Sequence, residues 1–184
     1  MTSRAVSASG ERSNLDPVLF HLEPYIDAVV LELRTQLNQV IDGINADHPG
    51  DFQLDHIEDG GYIVGGTEQP ATVWPFLEVA IPDWTWLNIS LEVEHADTTF
   101  FLAVKVMSRD PVLESGRLYR RCLRYGQAVT TVMLSPTSVV IGGSRAVLAG
   151  ARGAYRFNPE QNQAEHVVGG CLMVYEMHVE DYQH

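Results

Sequence analysis

Four arginines, Arg117, Arg120, Arg121 and Arg124, fall within eight residues of each other. A guanidinium is a planar fork that binds carboxylates two bonds at a time. On a helix, Arg117, Arg121 and Arg124 are separated by steps of four and three, so they share a side, with Arg120 flanking them. Such a row repels itself, and it adds nothing to solubility in a chain of net charge −12. The chain also carries an acidic set, Asp47, Asp51, Asp55, Glu58 and Asp59, with no lysine or arginine among them. The chemistry on offer is charge pairing. An acidic neighbour would relieve that repulsion, and the chain carries both surfaces, so two copies can satisfy each other head to tail. The predicted subunit interface is therefore Arg117, Arg120, Arg121 and Arg124 against Asp51, Asp55, Glu58 and Asp59.

Other reactive residues give weaker patterns. His178, Asp181 and His184 lie close together, and His56 stands beside Asp55, Glu58 and Asp59. Neither group has the i, i+4 histidine spacing of a helical zinc site, and both read as solvated surface. His21 and His95 stand beside predicted turns. Cys122 and Cys171 read as two buried thiols, one on a helix face and one in a strand. The glycine-rich Ile141–Gly150 lacks the Gly-Lys-Ser/Thr end of a phosphate loop and has no strong helix behind it. No Gly-x-Ser-x-Gly occurs. Trp74, Trp84 and Trp86 flank prolines and read as packing over a sheet end, with a partner-binding edge as the sharper alternative. No catalytic centre, metal or cofactor is expected.

The totals restrict the class further. At 184 residues, with 45% hydrophobic and 20% charged, the chain fits a soluble globular domain with a real core. Its acidity argues against a general nucleic-acid binder. Arginines outnumber lysine eleven to one; the stretch Arg109–Arg124 is locally +3, which leaves −15 for the rest. No signal peptide or bilayer-spanning run is evident, so the expected location is the cytoplasm in which it is made.

The elements that must position these residues can be read in order. Residues 1–14 are small and polar and read as a flexible arm. Ile26, Val29, Val30, Leu33, Leu37, Val40, Ile41 and Ile44 keep helical spacing from Tyr25 on, and Gly43 and Asn45 mark the helix end. Phe52, Leu54 and Tyr62–Val64 suggest two short strands around Gly60-Gly61. Phe76–Ile81 reads as a strand stopped by Pro82-Asp83. Leu87–Val93 alternates with period two and should form a hairpin with the strand Phe100–Met107. Asp110 and Pro111 then resemble the start of a second helix, running to Met133 with Tyr119, Cys122, Leu123, Gly126, Val129 and Val132 on its apolar face. Ser138–Ile141 is a strand, 142–170 a long loop or extended hairpin, and Cys171–Val179 the last strand. The fold class is α+β: a mainly antiparallel sheet against two long helices, one domain over 15–184 with an excursion at 142–170. Val30, Leu33, Leu37, Leu91, Leu102, Val104, Leu123 and Val129 are predicted to be buried.

This order of elements, with Val104–Pro111 at the strand-to-helix turn and Leu118–Val129 after it, resembles the tail-terminator and neck proteins of tailed bacteriophages. The resemblance covers roughly residues 25–134. It implies a virion protein: a ring of copies of itself, hexameric in the family. The ring would cap the tail-tube protein and join it to the head-tail connector proteins. DNA would pass through the lumen without specific binding, and no membrane would be involved. The family has no catalytic residues to carry over, and the arm and the excursion depart from its usual short form. Two other readings stand beside it: a metal-dependent enzyme with a cleft near 47–59, and a monomeric cytoplasmic adaptor.

Overall fold

The computed structural model describes residues 22–65, 73–90, 95–111, 115–135, 138–141, 144–157 and 166–181. Helix α1 spans Glu23–Asp47, with a proline in its first turn, where a missing amide hydrogen costs nothing. It runs past Gly43 and Asn45. A single 3-10 turn over Asp59–Gly61 leads into β1 (Tyr62–Val64). Phe52 and Leu54 are not in a strand; they lie in an extended segment. The strands β2 (Phe76–Ser90) and β3 (His95–Pro111) follow, then α2 (Ser115–Leu134), β4 (Ser138–Ile141), β5 (Ser144–Phe157) and β6 (His166–Asp181). The chain is α+β, with a mixed sheet in the order β1-β2-β3-β6-β5-β4. β1 is parallel to β2, and the other pairs are antiparallel.

Three boundaries differ from those expected. β2 is not stopped by Pro82; the register slips between Ala80 and Asp83 and the strand continues, as a bulge permits. β3 does not end before Asp110; it stays paired to β6 as far as Pro111, which stands opposite His166. Asp110 therefore caps no helix, and α2 begins at Ser115. Proline is tolerated at such a strand end, where the ladder needs no further amide hydrogen. Of the two forms expected for 142–170, the described residues take strands: 144–157 pair antiparallel with β6.

Alternation along the central strands separates two faces. Phe100, Leu102, Val104 and Val106 of β3, with Cys171, Met173, Tyr175 and Met177 of β6, point to one side and are buried there under both helices. α1 contributes Val30, Leu33, Leu37 and Ile41; α2 contributes Leu118, Cys122, Tyr125, Val129 and Val132. Leu123 was expected among them but is 47% exposed. The buried stripe of α2 steps by four and three from Leu118, and Leu123 lies about 100° round the helix from Cys122. Tyr119 is exposed for the same reason. Leu91 lies outside the described residues. Among the described residues, no helix is long and apolar enough to cross a membrane.

Candidate functional site

The residues from Asp51 to Ile57 form an extended strip held between the two helices. Phe52, Leu54 and Ile57 are buried, which is the apolar reason for it to lie there. Its backbone polar groups are met by two asparagines of α1, seven residues apart and so on one side of the helix. Asn45 accepts from the Leu54 amide at 2.7 Å and donates to the Leu54 carbonyl at 3.0 Å. Asn38 does the same for Ile57, at 3.0 Å and 3.1 Å. Each side-chain amide copies the pairing a neighbouring strand would have given.

From the other side, α2 meets the strip with its arginines. Arg124 donates to the Asp51 carboxylate at 2.6 Å and to the Phe52 carbonyl at 3.2 Å. Arg121 donates to Asp55 at 2.8 Å and lies 3.2 Å from Asp110. The Tyr125 hydroxyl donates to the Asp55 carbonyl at 2.8 Å. The Phe52 ring carries three guanidinium groups around it, those of Arg117, Arg121 and Arg124, at 5.5, 5.7 and 4.3 Å from its centre, so cation–π attraction adds to the pairing.

The head-to-tail pairing expected between subunits is thus met within one chain. Arg121, Arg124, Asp51 and Asp55 are engaged by each other. Arg117 is half-buried over Phe52, while Arg120, Glu58 and Asp59 are exposed outside these contacts. The physical reason is that the strip folds back onto α2, bringing carboxylates 66 and 73 residues away onto the basic face. Self-repulsion of the arginine row is relieved without a neighbour.

Asp51 shows the electrostatic consequence. Its carboxyl is held below the ordinary value, first by the Phe52 amide, which donates to it at 2.8 Å, and then by Arg124. A carboxylate with a depressed native value stabilises the fold above its unfolded value and loses that contribution as pH falls through the native one. Arg124→Gln should therefore raise the titration midpoint of Asp51, read from its side-chain carbonyl NMR shift. An unchanged midpoint would show that the arginine contact is not made in solution.

The other predicted residues are dispersed. His56 pairs with Asp42 at 2.7 Å rather than joining Asp55, Glu58 and Asp59, and His178 pairs with Glu176 at 3.1 Å. His21 and His184 lie outside the described residues. Among the described residues, no three histidine, cysteine or acidic side chains group to hold a metal ion. Cys122 and Cys171 are free and buried, and burial pushes both thiols up to about 12, so neither is a ready thiolate. Trp74 packs edge-on to Phe76, with Arg109 over its ring, at one end of the sheet.

Two surfaces escaped the sequence reading. One is a groove of about 430 Å³ between α2 and β5, with Leu123, Leu134, Tyr155 and Met173 in its walls. The second is the sheet face turned away from the helices. Its rows can be traced from the register: Glu78, Lys105, Leu172 and Ala154; Ala80, Ala103, Val174 and Arg152; Asp83, Phe101, Glu176 and Gly150. Lys105 and Glu78 pair there at 3.0 Å. A hollow of about 320 Å³ opens between Phe101, Val174, Arg152 and Glu176. The signal was in the strands: Phe101, Ala103, Leu172 and Val174 are the outward members of alternations whose other members fill the core. No protein-family model and no curated protein matches this sequence.

Proposed function

We propose that this chain is a structural virion protein, a subunit of the phage neck resembling tail terminators. Copies of it form a ring, hexameric by that resemblance, which caps the tail tube and joins it to the head-tail connector. It acts in the virion after assembly in the host cytoplasm. In this role the mainly antiparallel sheet and its two long helices form the body of each subunit, extended by the described strand pairing of 144–157 with β6. The chain is not an enzyme in this reading and needs no cofactor.

The observation that carries the reading is the sheet face that, among the described residues, no element covers. An antiparallel sheet can leave one side to water, and that side is then ordinarily polar at alternate positions. Here both helices lie on the other side, and this side still presents Phe101, Ala103, Leu172 and Val174 across its middle strands, all half-buried. A face of this composition gains from being covered by a second copy. The acidic balance suits a ring around DNA, because attraction would hold the duplex.

Native mass spectrometry across a concentration series tests the reading directly. A closed oligomer is expected, and Val174→Glu should abolish it. The substitution lies beside Arg152 on a half-exposed position, so the subunit itself should lose no more than about 1 kcal/mol. A chain that stays monomeric at every concentration would instead support the adaptor.

A further inference from the structure

The strip of residues 51–57 sits in the cleft between α1 and α2 as a bound peptide sits in a receptor. Three kinds of contact hold it, and each comes from a different set of helix side chains. Asn38 and Asn45 each give one donor and one acceptor to its backbone, contacts that any main chain can make. The buried Phe52, Leu54 and Ile57 supply the apolar anchors. Arg124 and Arg121 take the carboxylates of Asp51 and Asp55. Backbone, apolar and charge contacts divided in this way are how extended acidic segments are recognised by basic surfaces. None of these contacts requires the strip to be covalently joined to the helices.

The helix side of the cleft selects the charge of its occupant. α2 carries Arg117, Arg120, Arg121 and Arg124 and no acidic residue over Ser115–Leu134. Asp110 of β3 lies 3.2 Å from Arg121, one carboxylate beside four cations. An occupant that brings two carboxylates restores the balance. On the α1 side, Asp42 meets His56 of the strip at 2.7 Å, so a basic group fits directly after the second carboxylate. The strip is also placed for exchange. Its ends are turns, at Gly50 with a φ of 88° and at the 3-10 turn Asp59–Gly61. The Asp51 and Asp55 side chains are 40% and 65% exposed. A competing carboxylate can therefore engage Arg124 or Arg121 at the surface before the apolar anchors leave.

We propose that the α1–α2 cleft is a docking site for an extended acidic peptide of a partner protein, and that residues 51–57 occupy it as a displaceable stand-in. The peptide it fits has an aspartate before an aromatic residue, apolar residues two and five places after the aromatic, and a second carboxylate three places after it, as in Asp51–Ile57. The site lies on the helix side of the subunit, so it holds whether or not copies join through the sheet face.

Peptide complementation on the full chain tests it. Phe52→Ser with Leu54→Ser loosens the strip and leaves every helix residue of the cleft in place. The probe is a synthetic peptide of the sequence Gly50–Glu58, capped at both ends. A strip that is open about one part in a hundred lowers the apparent affinity of the wild-type chain about a hundredfold, so the variant should bind the peptide tighter by that factor. The side-chain amide NMR signals of Asn38 and Asn45 should move in the variant and return to their wild-type positions when the peptide saturates it. A peptide with Asp51→Asn and Asp55→Asn should bind at least about tenfold more weakly. Failure of the variant to bind the peptide overturns the docking site, as do asparagine signals that do not return. Equal binding of the two peptides overturns its preference for acidic partners. If the double variant does not fold, Phe52→Leu carries the same test: it keeps apolar volume and removes only the ring from among the guanidinium groups. Its affinity for the peptide should rise at least about threefold over wild type, and an unchanged affinity sinks the proposal.

Discussion

Arg121→Met is expected to lower the unfolding free energy by roughly 3–5 kcal/mol, the usual effect of removing one partner from a buried ion pair. Arg121 is only 8% exposed and lies 3.2 Å from Asp110, whose own side chain is 3% exposed. Loss of the guanidinium removes a cation that lies 3.2 Å from the buried Asp110 carboxylate. The Asp55 contact contributes much less, because that carboxylate is 65% exposed and largely solvated. Two further variants isolate the cause. Arg121→Lys keeps the charge but cannot reach both carboxylates with one planar fork, so it should fall between. Arg121→Met combined with Asp110→Leu removes both charges and should recover most of the stability, since an apolar pair of similar volume is often no worse than a buried salt bridge. Chemical denaturation reads all three. A single-variant loss under about 1 kcal/mol would mean that the pair is wet.

This pair also shows where sequence reading stops. Asp110-Pro111 satisfies the rules for a helix start as well as it does those for a strand end. What decides is β6, whose Val167 and His166 stand opposite Asp110 and Pro111 and keep the chain in the sheet. Strand pairing over more than fifty residues overrides a local signal. Pro82 misled in the same way, and the bulge beside it was not legible without the partner strand. The cores of α1 and of β3 were legible, because periodicity reports burial directly: Leu33, Leu37, Leu102 and Val104 are fully buried. The glycines of 150–153 argue against a strand in isolation, yet β5 forms there against β6. At the candidate site, both charge sets were visible but not their meeting. Complementary charge says that two patches attract; it does not say whether they belong to one chain or two. The fold-back of residues 51–57 decides that, and the asparagines that hold it carry no pattern beyond a two-turn spacing.

Those asparagines carry the last expected result. Asn38→Ala and Asn45→Ala each remove two hydrogen bonds from a backbone that no strand pairs. The Leu54 and Ile57 amides and carbonyls would then be buried without those partners, at about 1–3 kcal/mol for each residue so stranded. The two sites share one strip, so their effects should not simply add. Once one end is loose, Phe52, Leu54 and Ile57 can leave together, and Arg121 and Arg124 lose the carboxylates that the strip delivers. The double variant should therefore release 51–57 as a unit before global unfolding. Amides of that strip should then exchange far faster than those of β3 and β6, which keep their ladder. Aspartate at position 38 supplies the control: it still accepts from the Ile57 amide but cannot donate to its carbonyl, and it should lie between wild type and alanine. Exchange in 51–57 that remains as slow as in β3 in the double variant would show that apolar burial and the arginines hold the strip without the asparagines.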